Sequence, residues 1–355
     1  MMNEYEYYTK FDWSSNPFIL SISPELMVGY SEQTSSLLSH VHNLHKFALL
    51  VGPTGSGKTT LLMWLRAQLM AYKNFLPYYV SKPPRSPKNL ILLFKSILGY
   101  GILDKIRYKN LTPFNLSKFI HRKLKSKHFV LLIDEAHESS ITNLEWIRTI
   151  VDSTPNLSVI FASLPIFEDN LTTKLPTLSM RINTRVYLNS LSKPETESLI
   201  MKRIENVGGD GFKPFTSESV ERIFGITGGF PREIIKSCDK LIKNAAEKNI
   251  SIINKTFVDQ VLKTLEKSKP IELKVILSRK QKNILKILNK TPNLTPSEIV
   301  DHLELDSYKD RNNAIRSVNN ILRRLLKDEF LHRKKLGNSY VYLLSGKGKT
   351  IFTEA

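Results

Sequence analysis

Eight consecutive residues, Gly52-Pro53-Thr54-Gly55-Ser56-Gly57-Lys58-Thr59, set three glycines ahead of a lysine and a hydroxyl at the spacing G-x-x-x-x-G-K-[ST]. Glycines allow successive backbone N–H groups to close around phosphate oxygens, and a helix opening at the end of such a loop adds the positive end of its dipole. Lys58 is then placed to reach β- and γ-phosphates, and the Thr59 hydroxyl to ligate Mg²⁺, with Thr60 closing the phosphate-binding run. A second pair, Asp134-Glu135, ends the apolar run Val130-Leu131-Leu132-Ile133. Asp134 at that strand end would join the Mg²⁺ shell, and Glu135 would polarise an attacking water as general base. His137 either contacts the phosphate network or has an ordinary packing role.

Further candidates follow along the chain. Ser163 ends the apolar run Ser158-Val159-Ile160-Phe161-Ala162, where its hydroxyl either reaches the γ-phosphate or attacking water or caps the next turn. Arg232, in Thr227-Gly228-Gly229-Phe230-Pro231-Arg232, stands just inside a helix opened by proline, from which it could swing onto the γ-phosphate. Arg181, with Arg185 and Arg148 as alternatives, is a candidate for acting in trans on a neighbour's nucleotide, or for holding DNA. The basic loop Lys82-Pro83-Pro84-Arg85-Ser86-Pro87-Lys88 reads as a rigid connector or a second DNA contact.

The elements that must position these groups are legible as alternation. Apolar runs at 47–51, 77–81, 128–133, 158–162 and 184–188 read as strands separated by helical stretches, the first of these helices over 60–70. This predicts an α/β core with a parallel sheet covered on both faces. The strand signal ends after Leu191. A capping-box start at Ser192-Lys193-Pro194-Glu195 opens a run of helices, with others at about 217–225, 231–247 and 255–268, expected to form a lid. The expected division is an irregular arm over 1–30, a nucleotide-binding core over 31–190, the helical lid over 191–268 and a terminal domain over 271–355, after a linker at Lys267-Ser268-Lys269-Pro270.

That terminal segment predicts helices over 278–289, 296–303 and 312–327, then a hairpin, 330–336 and 339–344, turning at Gly337-Asn338: a winged helix-turn-helix. Its long helix carries Ile315, Val318, Leu322 and Leu325 on one face and Asn313, Arg316, Asn320, Arg323 and Lys327 on the other. Arg and Asn pair with guanine and adenine edges in the major groove, while Arg333, Lys334 and Lys335 on the wing would track phosphates. The segment holds 17 basic and 9 acidic residues, which favours DNA over a merely solvated face.

Composition agrees. The 355 residues include 52 Lys+Arg against 33 Asp+Glu, a net charge of +19 and a pI near 9.7. Such an excess points to a polyanionic partner, nucleic acid being the usual one. A single cysteine, Cys238, excludes an intramolecular disulfide and a cysteine-built zinc site. The opening Met-Met-Asn-Glu-Tyr-Glu is acidic and aromatic, unlike a signal peptide, and the most apolar stretch, Leu90 to Leu103, is broken by Lys95 and too short to span a bilayer, so a soluble, cytoplasmic protein with no membrane partner is expected.

Asn16-Pro17-Phe18, Met27-Val28-Gly29-Tyr30, the two phosphate motifs and Gly228-Gly229-Phe230-Pro231-Arg232 together resemble the AAA+ ATPases, in the branch that holds archaeal origin-recognition initiators and the transposition- and secretion-associated ATPases. The resemblance covers about 16–265, and an AAA+ core followed by a winged helix is the layout of the archaeal initiators. It implies that Val28, Gly29 and Tyr30 pack on adenine, that Arg232 fills the sensor-2 position, and that the nucleotide is ATP. Ser163-Leu164-Pro165 and the Gly-Gly-Phe-Pro-Arg form are closer to the transposition and secretion branch than to the initiators. The expected function is a DNA-binding ATPase that assembles on duplex DNA as a homo-oligomer under ATP control, in replication or another DNA transaction, with a possible protein partner. The alternatives are an ATP-responsive transcription regulator with little turnover, and a signalling ATPase whose terminal module binds protein.

Overall fold

The structure is a computed structural model that describes residues 4–268, 278–303, 310–328, 330–337, 339–345 and 348. The chain divides into two compact units, residues 22–189 and residues 1–21 with 190–355. A short helix α1 (Glu4–Thr9) begins the second of these.

The 22–189 unit is the core. It runs α2 (Ser31–His42), β1 (Phe47–Val51), α3 (Lys58–Met70), β2 (Phe75–Val80), α4 (Pro87–Leu98), α5 (Ile102–Arg107), α6 (Leu116–Leu124), β3 (His128–Ile133), α7 (Ile141–Ser153), β4 (Leu157–Ser163), α8 (Pro165–Lys174), α9 (Pro176–Ser179) and β5 (Thr184–Tyr187). All five strands pair in parallel in the order β2-β3-β4-β1-β5. Successive side chains of a strand point to opposite faces, and here both faces are covered. Phe47, Leu49, Val51, Phe129, Leu131 and Phe161 pack toward α4, α6 and α7. Ala48, Leu50, Val130, Leu132 and Ile160 pack with Leu37 and Val41 of α2 and with Leu61, Leu65 and Leu69 of α3. Every residue of β1, β3 and β4 is buried, which is why these strands read as continuous apolar runs rather than as alternation.

β2 starts at Phe75, two residues before the expected boundary. Its Pro77 lacks an N–H, and β2 stands at the sheet edge with β3 as its neighbour, so proline inside it breaks no ladder between two strands.

The other unit holds α10 (Lys193–Glu205), α11 (Ser217–Thr227), α12 (Pro231–Glu247) and α13 (Lys255–Ser268), the helices expected from the sequence to form a lid. The Ser192 capping box is present, with Ser192 Oγ accepting from Glu195 N and Glu195 reaching back to Ser192 N. The expectation of one irregular arm over 1–30 is corrected. Residues 4–21 include a helix and fold with the lid: Tyr7 Oη donates to Ile250 O, Asn16 Nδ2 to Asp239 Oδ1, and the buried Arg203 to Pro17 O. Residues 22–30 belong instead to the core, where Met27 and Tyr30 pack on the α2/α3 face.

The terminal module comprises α14 (Arg279–Lys290), α15 (Pro296–Asp301), α16 (Arg311–Lys327) and the antiparallel pair β6 (Leu331–Leu336) and β7 (Ser339–Leu344). Its own apolar core joins Ile284, Leu285, Leu288, Val318, Leu322, Leu325 and Tyr342. The hairpin gains a third edge, because Asn293 N and Tyr342 N exchange bonds with Tyr342 O and Leu294 O. This three-helix, winged arrangement is a winged helix. The linker residues 269 and 270, the turn residue Asn338 and the side chain of Lys327 lie outside the described residues.

Candidate nucleotide site and nucleic-acid face

β1 delivers the chain from a fully buried strand into the loop 52–57, and α3 begins directly at Lys58. Gly57, the residue before α3, has φ 94°, and no side chain caps the helix start, so the first amides of α3 remain available to a ligand. Gly52 leaves no room for a side chain: a Cβ there would lie 2.5 Å from Ser56 Oγ and 3.2 Å from Leu188 O. Lys58 is 6% exposed, and its ammonium donates to Gly52 O at 2.8 Å and Pro53 O at 3.0 Å, curled against the loop it serves.

β3 lies two strands from β1, beyond β4, and brings Asp134 to Thr59. Thr59 Oγ1 donates to Asp134 Oδ2 at 2.6 Å, while Glu135 N donates to Oδ1 at 2.9 Å. Glu135 follows in the left-handed region, φ 49°, with its carboxylate 41% exposed beside His137, whose Nε2 lies 3.4 Å from Glu135 Oε2. The Thr59 and Asp134 oxygens form a hard-oxygen pair of the kind that suits Mg²⁺. Ser163 ends β4 in register with Val51, and its Oγ is buried without a hydrogen-bond partner, as is Ser56 Oγ. Buried hydroxyls left unbonded beside a glycine cradle fit a polar ligand there.

Two tyrosines complete the picture. Tyr30, preceded by the half-buried Val28 and by Gly29 with φ 75°, itself takes φ 62°. Its hydroxyl lies 2.9 Å from Ser56 O and 2.7 Å from Asn189 O, pinning the segment before α2 to the loop. Sequence reasoning missed Tyr79, on β2, whose hydroxyl donates to Asp134 Oδ2 at 3.1 Å. Burial, and then the neighbouring Asp134 carboxylate, push the Tyr79 phenol up, so it stays a protonated donor. Only the pairing of β2 with β3 brings Tyr79 to this place.

The arginine candidates lie elsewhere in the core. Arg181 Nε is 2.6 Å and Arg148 Nη1 3.4 Å from the same Asp152 Oδ2. Arg185 pairs with Glu168 at 3.3 Å and donates to Ser179 O and Ile182 O. In the lid, Gly228 and Gly229 have φ 63° and 77°. A Cβ at Gly229 would strike Leu191 O at 2.1 Å, so the glycine pair lets the chain close onto Leu191 before α12 begins. Arg232 is exposed in the first turn of α12.

On α16, Ala314, Val318, Leu322 and Leu325 are fully buried, and Ile315 only partly, so the buried stripe starts one residue earlier than expected. Asn313, Arg316, Asn320 and Arg323 are exposed on the opposite face. Asp310 caps the helix by accepting from Asn313 N, and Arg311 ties it to α15 through Asp301 at 2.7 Å. On the wing, Lys334 and Lys335 are exposed, whereas Arg333 lies over the Tyr340 ring at 4.0 Å.

Residues 41–171 match the AAA domain family and residues 277–348 the penicillinase repressor family. An uncharacterized HTH-type transcriptional regulator of Methanocaldococcus jannaschii is 24% identical over 263 residues, covering 71% of this chain. The chain spans only 62% of that relative's length. Among solved structures, the Aeropyrum pernix ORC2 protein in its ADPNP-ADP complexes matches with a TM-score of 0.62 at 14% identity, covering 95% of this chain and 96% of that one. The Aeropyrum pernix ORC1 protein in complex with DNA matches with a TM-score of 0.54 at 13% identity, covering 95% of both chains. The chain thus carries an AAA domain followed by a C-terminal winged helix, in the fold of the archaeal ORC proteins.

Proposed function

We propose that the protein is a DNA-binding AAA+ ATPase, in which ATP binding and hydrolysis switch self-assembly on duplex DNA. The observation that carries this reading is the 2.6 Å bond from Thr59 to Asp134 beside the glycine-built loop that Lys58 lines, with Glu135 next along the chain, in a protein that also presents a basic helix face on a winged module. The residues Gly52 to Thr60 hold the triphosphate, and Val28, Gly29 and Tyr30 flank the base. Lys58 exchanges its two carbonyl partners for phosphate oxygens. Thr59 and Asp134 would hold Mg²⁺, which when bound neutralises charge on the phosphates. Glu135, steadied by His137, orients the attacking water and takes its proton. Ser163 and Arg232 read the γ-phosphate, and Arg181 serves a neighbouring copy. The DNA contacts are Asn313, Arg316, Asn320 and Arg323 on α16 and Arg333, Lys334 and Lys335 on the wing.

The test is ATP hydrolysis with and without duplex DNA at two salt concentrations, for wild type and Glu135→Gln. Loss of one general base costs on the order of a hundredfold in turnover, so the variant should bind ATP normally, turn over about 100-fold more slowly and accumulate as a DNA-bound assembly. Wild-type turnover in Glu135→Gln would remove Glu135 from its role.

A second reading draws on the penicillinase repressor match and on the regulator named among the relatives. There the winged helix reads an operator and ATP acts as an effector. Salt-sensitive DNA binding with negligible wild-type turnover would select it.

A further inference from the structure

The basic excess is concentrated in a place that the winged helix does not explain. Between Gln33 and Ile133 the chain carries sixteen Lys and Arg and a single acidic residue, Asp104, a net +15 out of +19. Within that stretch lies α5, and its packing is unusual. None of its residues is buried, and Ile102, Leu103 and Ile106 are 77%, 80% and 73% exposed.

The helix is nonetheless firmly seated. The Tyr100 ring before it and the Tyr108 ring after it both pack on Phe119 of α6, at 5.9 and 5.4 Å, and Tyr100 Oη donates to Tyr108 O at 2.7 Å. Asp104 accepts from Gly101 N at 2.9 Å and pairs with Lys123 of α6 at 2.7 Å. Aromatic feet therefore anchor both ends while the three aliphatic side chains stand in water, so they are not part of this unit's core. Asp104, the one acidic residue of the stretch, is paired with Lys123, and Lys105, Arg107 and Lys109 are exposed as a cationic rim. An apolar centre inside a charged rim is the anatomy of a protein interface.

We propose that α5 is a docking ridge for an acidic amphipathic helix of a partner protein. Ile102, Leu103 and Ile106 would seat its apolar face, and Lys105, Arg107 and Lys109 would meet its carboxylates. A polyanion answers only half of this surface. Phosphates cover the cations but leave the aliphatic groups wet, and nucleobases stack on aromatic rings, which α5 does not present. A helix with carboxylates beside a leucine stripe satisfies both halves.

The test uses the full chain and a fluorescent synthetic peptide of about 20 residues, with leucines at i, i+3, i+4 and i+7 and glutamates on the remaining face. A scrambled peptide of equal composition and a duplex of about 20 base pairs serve as further probes. Binding is read by anisotropy for wild type, Ile106→Ser, and the pair Lys105→Glu with Arg107→Glu. These positions are solvent-exposed, and circular dichroism checks that the variants fold. The amphipathic peptide should bind at least about tenfold more tightly than the scrambled one. Ile106→Ser, which changes no charge, should weaken it about five- to tenfold, and charge reversal at least as much. Failure of the amphipathic peptide to bind, equal affinity for both peptides, or indifference to Ile106→Ser overturns the proposal. If the duplex binding is lost on charge reversal and the peptide is not held, the ridge is a nucleic-acid contact instead.

Discussion

Asp134 Oδ2 accepts from two hydroxyls at once, Thr59 at 2.6 Å and Tyr79 at 3.1 Å, and its other oxygen accepts from Glu135 N. A carboxylate held at three points cannot rotate away from the phosphate loop, and in this site that carboxylate is the proposed metal ligand. Tyr79→Phe removes one donor and leaves the ring. Such a bond contributes about 0.5–1.5 kcal/mol. The variant should therefore fold normally but need about three- to tenfold more Mg²⁺ to support binding of a fluorescent ATP analogue. An unchanged Mg²⁺ half-saturation would show that Thr59 and the backbone suffice to hold Asp134. The contrast between the residues is instructive. Lys58, Thr59, Asp134 and Glu135 could be read from the sequence because strand-loop-helix context gives local spacing a geometric meaning. Tyr79 could not, because its partner is fixed by strand order and by the register Tyr79 to Leu132, which no local pattern encodes.

Among the elements, legibility followed burial. β1, β3 and β4 are covered on both faces and announce themselves as apolar runs, and α16 does so by its stripe at intervals of three and four. β2 is an edge strand interrupted by proline, and it starts at Phe75, two residues before its apolar pattern suggests. The third edge of the wing, a bridge at Leu294 alone, has no length over which a period can show. The α16 register carries a prediction at this scale. Arg316 is exposed on the helix face opposite Val318 and Leu322, whereas Lys334 is exposed on a strand of the wing. If α16 lies in a major groove, Arg316→Ala should cost about 1–3 kcal/mol at a preferred site and flatten discrimination between sites. Lys334→Ala should instead weaken all duplexes alike and lower the salt slope by about one. Competition binding across a randomised duplex pool at two salt concentrations separates the two. Uniform loss for Arg316→Ala would make α16 a phosphate contact and leave sequence reading to other groups.

At the scale of the core as a cooperative unit, the sheet is fastened at the end opposite its phosphate loop by neutral histidines. His40 of α2 shares a 2.8 Å hydrogen bond with Thr184 at the start of β5, and its Nε2 is buried without a partner. His128, the first residue of β3, bonds Ser158 of β4 at 2.8 Å, and Ser158 in turn donates to His45 O just before β1. Burial lowers both imidazoles from 6.5 to about 4, assisted at His40 by His45 and His128 and at His128 by Lys46. The unfolded chain takes up these protons near pH 6.5 and the folded core only near pH 4, so between those values the unfolded state binds more protons and stability falls as pH falls. At pH 5 the loss is about 2 kcal/mol for each histidine. The unfolding temperature of the core should therefore be flat from pH 8 to 7 and drop steeply from pH 6.5 towards 4.5. General charge repulsion in a basic protein also grows with acid, and the variant His128→Gln separates the two causes, because glutamine keeps a donor and acceptor near Ser158 but takes up no proton. The variant should lose stability at pH 7 and yet show a shallower decline from pH 6.5 to 4.5. A decline as steep as that of the wild type would assign the acid sensitivity to the net charge rather than to the buried ring at the foot of β3.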